Sequence, residues 1–340
     1  NPAERFQTAA ELKAALESTG REAPSTPSIA VLPFANLSAD KENEYFSDGM
    51  TEEIINALAK IPGLQVASRT SSFAFKGKSD EIGEVGRRLG VSSVLEGSVR
   101  KIGNRIRINA QLVNVANNYQ LWSEPFDRQL EDVFAIQDEI SRAIADALKI
   151  RLMGGAQAEP LVKPATDNLE AYTLYLKGRF FVNRLAEHDL HKAQSLFEQA
   201  RAADPDDPDV RAMQAQVLSW AGRYPEAIAK WDSLLALYPD RLDGLVGKAR
   251  TLSWDGQERE ADSLYRVVLE RDPTNGDALV GTAQLAYWDG RTAEAIAGYE
   301  RALSYRPRDV SARSGLAQVY LAAGRQLDAQ AEADSAVAIA

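Results

Sequence analysis

The chain has 340 residues, 45% of them hydrophobic, with no cysteine and 39 Lys+Arg against 49 Asp+Glu for a net charge of −10. That length calls for two or three separately buried cores. The missing cysteine excludes disulfides, thiolate metal sites and cysteine nucleophiles, and the acidic balance speaks against nucleic acid as a partner.

No run approaches the roughly 18 apolar residues that span a bilayer, so membrane association is expected only through segments outside this chain. It opens at Asn1 rather than a methionine, which points to a fragment or a processed product. Residues 1–20 begin Asn-Pro and set Phe6, Ala9, Leu12 and Leu16 at helical spacing, one amphipathic helix. The wording NPAERF followed by AAEL resembles the last helix of a bacterial Ser/Thr protein kinase domain, with Arg5 at the family's structural arginine. None of the kinase parts that perform chemistry follows: neither Gly-rich phosphate loop, strand lysine, H-R-D nor D-F-G is present.

The Pro/Ser/Thr-rich stretch 21–28 reads as a linker. Ile29–Phe34, IAVLPF, is the apolar run of a strand buried on both faces. A helix is expected to start near Thr51, with Glu52 and Glu53 at its positive end and Ile54, Ile55 and Leu58 at helical spacing. Leu64–Ser68 is a second strand, and 79–90 a helix ended by Gly90. Residues 91–115 alternate apolar and polar about Gly103-Asn104, a hairpin. A strand near Tyr119–Trp122 and a helix from about Asp132 to Leu152 complete an α+β domain over 29–152, a small mixed sheet with helices.

The segments SIAVLPF (28–34), YFSDGMTEEI (45–54), 69–101, QLVNV (111–115) and 121–140 resemble the TolB-like N-terminal domain found beside kinases, adenylate cyclases and winged-helix regulators in bacteria. The resemblance implies a docking or spacer module with no specific ligand. It implies the cytoplasm where such domains are kinase-linked, the periplasm being the alternative.

A Gly, Ala and Pro linker, 153–168, leads into repeated sequence over 169–340. Ala193, Ala227, Ala261, Ala295 and Ala329 stand 34 residues apart, and Gly222, Gly256, Gly290 and Gly324 keep the same period. So do Pro205, Pro239, Pro273 and Pro307, and Phe197, Trp231, Tyr265 and Tyr299. This is the tetratricopeptide signature, implying an all-α solenoid of about five helix pairs. The alanine lets two helices approach, the glycine ends the first, proline stops the second, and the aromatic fills the gap between neighbouring pairs. The last repeat shows no evident polar cap in AEADSAVAIA, so the array is expected to continue.

In such arrays the first helices line a concave, ligand-binding face. Its recurring positions are Asp209, Asp243 and Asp277, then Gln216, Arg250, Gln284 and Gln318, then Trp220, Trp254 and Trp288. A tryptophan ladder flanked by acids and amides has the composition of a protein-binding groove. Two alternatives stand beside it: tryptophan before a turn also packs against the adjacent pair, and an acid in a first helical turn also complements the helix dipole.

No catalytic constellation is found. Ser47-Asp48-Gly49 lacks any histidine in its domain and reads as a cap and turn. Gly83 and Gly86 sit inside a helical pattern rather than in a dinucleotide fingerprint. His188 and His191, the only histidines, read as a solvated pair in the first repeat's turn. Arg100, Lys101, Arg105 and Arg107 bracket the hairpin as a charged edge. The reading is a non-catalytic scaffold that binds a protein or peptide, with no cofactor or metal; the alternative is the regulatory region of a Ser/Thr kinase.

Overall fold

The computed structural model describes residues 27–78, 80–148, 150, 161, 166–184 and 187–339. The kinase-like segment 1–20 and most of both linkers lie outside the described residues.

The first domain is built on six strands: β1 (Ser28–Val31), β2 (Ala35–Asn36), β3 (Gln65–Val66), β4 (Ser93–Ile102), β5 (Arg105–Asn114) and β6 (Gln120–Gln129). Their order is β3-β1-β4-β5-β6, with β2 also on β4. β1 runs parallel to β3 and β4, and β4-β5-β6 form an antiparallel meander. The expected hairpin turn is Gly103-Asn104, with Gly103 at φ 58° as a two-residue loop requires.

The apolar run of β1 is buried throughout because helices cover both faces. Alternation sends Ile29 and Val31 toward α1 (Glu44–Ala59) and α4 (Val133–Ala147), where Phe46, Ile54, Ile136 and Ile140 meet them. Ala30 and Val94 face the other way, onto Phe75 beyond α2 (Arg69–Phe73) and Val85 and Leu89 of α3 (Ile82–Leu89).

Four expectations are corrected here. α1 begins at Glu44, not near Thr51. Thr51 is fully buried inside it, donating from Oγ1 to the Ser47 carbonyl at 2.8 Å and accepting the Phe34 N–H at 3.0 Å. Ser47-Asp48-Gly49 is therefore mid-helix rather than a cap and turn, and Gly49 is there because a Cβ would stand 2.7 Å from Leu176. β6 runs on to Gln129 through Pro125, which an edge strand tolerates because one side of its backbone needs no ladder bond. α4 stops at Ala147, its last fully buried residue being Ala145, and the chain beyond it lays Leu148 and Ile150 on the core without helical form.

The second half consists of five antiparallel helix pairs. They are α5 (Leu169–Val182) with α6 (Glu187–Ala203), α7 (Pro208–Trp220) with α8 (Tyr224–Leu237), and α9 (Leu242–Trp254) with α10 (Glu258–Arg271). α11 (Gly276–Trp288) with α12 (Thr292–Tyr305), and α13 (Val310–Ala322) with α14 (Gln326–Ile339), follow. His188 and His191 thus lie in the opening turns of α6, not in the connecting turn. The repeat glycines Gly222, Gly256, Gly290 and Gly324 all take left-handed φ of 72° to 80° after a first helix, the conformation a Cβ resists. Asn168, Asp207, Asn275 and Asp309 cap the N-termini of α5, α7, α11 and α13 through their side chains.

Successive first helices touch, α7 with α9, α9 with α11 and α11 with α13, more extensively than successive second helices do. The array therefore curves with its first helices inside. The repeat aromatics pack where each pair meets the next: Trp231, Tyr265 and Tyr299 lie against Gly247, Gly281 and Gly315 of the following first helix, where any Cβ would come within 3.0 Å of the ring.

Candidate partner-binding surface

The tryptophans end three successive first helices, and their rings remain exposed: Trp220 is 39%, Trp254 38% and Trp288 45% accessible. Each is partly packed and partly presented. Aromatic area shown three times at one repeat position is what a binding face requires, since such rings bury much surface for little lost entropy.

The acids at the second position are committed within the array. Arg241, just before α9, meets Asp209 at 2.8 Å and Asp243 at 2.5 Å. Although burial alone opposes it, Arg241 is held above the usual guanidinium range by Asp243 and Asp209. Asp277 lies between Arg250 at 3.7 Å and Arg306 at 3.6 Å. Asp209 and Asp277 therefore stitch neighbouring repeats together, and Asp243 shares the Arg241 of the first of these links. Gln284 accepts a hydrogen bond from the Tyr299 hydroxyl at 3.0 Å, whereas Gln216 is half-buried and Gln318 exposed. Burial pushes the Tyr265 hydroxyl up to about 12, opposed by the nearby Arg250 cation. Arg241, Arg306 and the glycines facing the aromatics went unnoticed in the sequence, although Gly247, Gly281 and Gly315 repeat with the same period as the residues they face.

The two halves are joined by a cluster that sequence spacing does not reveal. Arg179 of α5 pairs with Glu52 and, at 2.8 Å, with Glu53, both on α1. Glu52, with its side chain 4% exposed, also takes Arg69 Nε at 2.6 Å and Asn183 Nδ2 at 3.0 Å. Burial pushes the Glu53 carboxyl up, and Arg179 opposes that shift. One and two turns earlier on α1, Asp48 and Glu44 each meet Lys76 at 2.7 Å. Lys76 and Glu44 also edge a cleft of about 740 Å³ floored by the polar sheet face, including Glu96, Ser98 and Asn109. At the hairpin, Arg105 and Arg107 both clasp Asp127, and the two hydrogen bonds, Arg107's first, hold that carboxyl below its ordinary range.

Among the described residues no three His, Asp or Glu side chains are grouped to hold a metal ion. Nor, among them, is any helix long and apolar enough to cross a membrane.

Comparison with known proteins agrees with the helical half. Tetratricopeptide-repeat family models match residues 184–249 and 283–340, so these pairs are tetratricopeptide repeats. Residues 25–143 match the second domain of HilA/YgeH-like transcriptional regulators. "Putative adenylate cyclase 3" of Rhizobium meliloti (strain 1021) is 46% identical over 182 residues, 54% of this chain. The chain spans about a third of that relative, 31% of its length. Among solved structures, TTC0263, a thermophilic repeat protein of Thermus thermophilus, is 22% identical with a TM-score of 0.46, covering 50% of this chain and 91% of its own. MamA from Desulfovibrio magneticus RS-1 is 15% identical with a TM-score of 0.39, covering 50% and 94%.

Proposed function

We propose that the chain is a non-catalytic scaffold that docks a protein or peptide segment on the inner face of its repeats. Trp220, Trp254 and Trp288 supply the apolar contacts, and Gln216, Gln318 and Arg250 the polar ones. The observation that carries this reading is the ladder of three part-exposed indoles at one repeat position. Asp209, Asp243 and Asp277 shape the groove through their arginines and contribute negative field rather than free hydrogen-bonding groups. Affinity capture with the full chain tests it. Proteins retained by the wild type are lost when all three tryptophans are changed to alanine; retention of the same proteins at the same yield rules the groove out.

A second reading has its own support. The kinase-like wording of residues 1–20, and a relative bearing a cyclase name that is much longer than this chain, favour a regulatory region of a larger signalling enzyme working in the cytoplasm. The α+β domain, TolB-like in its motifs, is then a second docking module beside the repeats. Sequencing the parent gene upstream of Asn1 decides this: a catalytic lobe there supports it, and its absence ends it.

A further inference from the structure

The outer face of the array gathers three cations, two of them without an ion-pair partner among the described residues. Where α6 and α8 splay apart over α7, Arg201, Arg211, Gln214, Glu226, Lys230 and Ser233 line a groove of about 390 Å³. Arg201, Arg211 and Lys230 are each partly buried. Among the described residues neither Arg201 nor Lys230 has a carboxylate within 4.0 Å. Arg211 has only Asp206, at 3.7 Å and 90% exposed, and spends one Nη on the Pro205 carbonyl at 2.6 Å. Glu226, also on the groove's lining, is engaged by Arg223 at 2.7 Å and 2.5 Å.

Two buried polar atoms there are also without partners: Arg211 Nε, a donor, and Gln214 Oε1, an acceptor on a side chain only 5% exposed. Buried polar groups are normally satisfied, so an orphan donor and an orphan acceptor beside this groove mark a place for a ligand. Burial, with Arg201 and Arg211 nearby, pushes the Lys230 ammonium below its usual range, while Glu198 and Glu226 act against this only through space. In a chain of net charge −10, gathering three cations here is a local choice against the global balance.

We propose that this groove binds a phosphoryl-type oxyanion, free hydrogen phosphate fitting it best. Two guanidinium groups and an ammonium converge from three helices, the donor geometry that phosphate oxygens take. Gln214 Oε1 then accepts the O–H that hydrogen phosphate retains near neutral pH. The anion draws α6 and α8 together, locking the first helix pair to the second. The site is on the face opposite the tryptophan ladder and does not depend on it.

Isothermal titration of the full chain with inorganic phosphate, at ionic strength fixed with sodium chloride, tests this. Saturable binding at one site is expected, weakened at least about tenfold in Arg201→Gln and in Lys230→Gln, as loss of a charge-assisted hydrogen bond implies. In phosphate-free buffer Lys230→Gln melts no lower than wild type, because it removes a like charge; this shows that the variant is folded. Sulfate, which lacks the proton, binds more weakly. O-phosphoserine binding more tightly than phosphate assigns the site to phosphorylated side chains, and the reverse assigns it to the free ion. No saturable uptake by about 10 mM phosphate, wild-type affinity retained in both variants, or an equal heat from chloride alone overturns the proposal.

Discussion

Gly281 is a helix-interior glycine, where intrinsic preference favours alanine by about 0.5–1 kcal/mol. Its place against the ring of Tyr265, which is 2% exposed, decides otherwise: an added methyl enters the ring's volume, and overpacking of a filled core costs about 1–3 kcal/mol. Gly281→Ala is therefore expected to destabilise by about 1–2 kcal/mol, read from urea midpoints; a neutral or stabilised variant would mean that the ring moves freely. Asp207 poses a question of charge. Its carboxylate is 3% exposed and caps α7 by accepting the N–H groups of Asp209 at 2.8 Å and Val210 at 3.1 Å. Burial raises its pKa against those bonds. A raised carboxyl favours the fold below the unfolded pKa and loses that contribution as pH rises through the folded value. Asp207→Asn keeps the cap and should equal or exceed wild-type stability at pH 7, the advantage shrinking toward pH 4, whereas Asp207→Ala loses about 1 kcal/mol. An Asn variant as damaged as the Ala one at pH 7 contradicts this assignment. The aromatics, glycine turns and tryptophans were legible because they share one period. Arg241 and Arg179 were not, since their partners lie at distances that no repeat spacing encodes.

Among the elements, the hairpin and the five pairs could be read because each has a face in water that leaves an alternating or helical pattern. α1 could not be bounded, because twelve of its sixteen residues are buried and a helix covered on nearly all sides has no polar stripe to mark its start. That burial has a purpose visible only in three dimensions. α1 is covered on one flank by α5, whose Tyr172 and Leu176 belong to the first domain's core although α5 opens the repeat array. Across this contact Arg179 answers two carboxylates. Removing one partner of a buried ion pair strands the other charges and costs about 3–5 kcal/mol, while replacing the whole group by apolar or neutral residues can cost little. Arg179→Ala should fall in that range by chemical denaturation. The combination Glu52→Gln, Glu53→Gln and Arg179→Met should recover most of the loss. If the triple variant is no more stable than the single one, the pairing energy lies elsewhere, in Arg69 and Asn183.

At the scale of the molecule, the described repeats meet the first domain at two places, very unequally. The near end shares a hydrophobic core and a buried ionic cluster with the first domain. The far end returns to the same domain through Arg308, whose Nη2 donates to the Arg88 carbonyl at 2.7 Å, where the positive group meets the negative end of α3. This bond joins residues 220 apart in sequence and is exposed. A bond of that kind contributes about 0.5–1.5 kcal/mol, far less than the near-end anchor. In a solenoid each pair is stabilised chiefly by its neighbours; among the described residues α13 and α14 pack against α11 and α12 and touch α3 only lightly, and Leu327 on α14 stands 88% exposed. Local opening should therefore begin at α13 and α14 and spread inward. Amide hydrogen exchange should show protection falling from α9–α10 toward α14, and Arg308→Ala should speed exchange in α14 and around residues 88–90 by up to about tenfold, the factor that ~1.4 kcal/mol sets. The main melting transition should barely move, because it reports the core that α5 shares with the sheet. Uniform protection along the array, or exchange indifferent to Arg308→Ala, would show that the packing of α14 beside α3, rather than the Arg308 bond, holds this end.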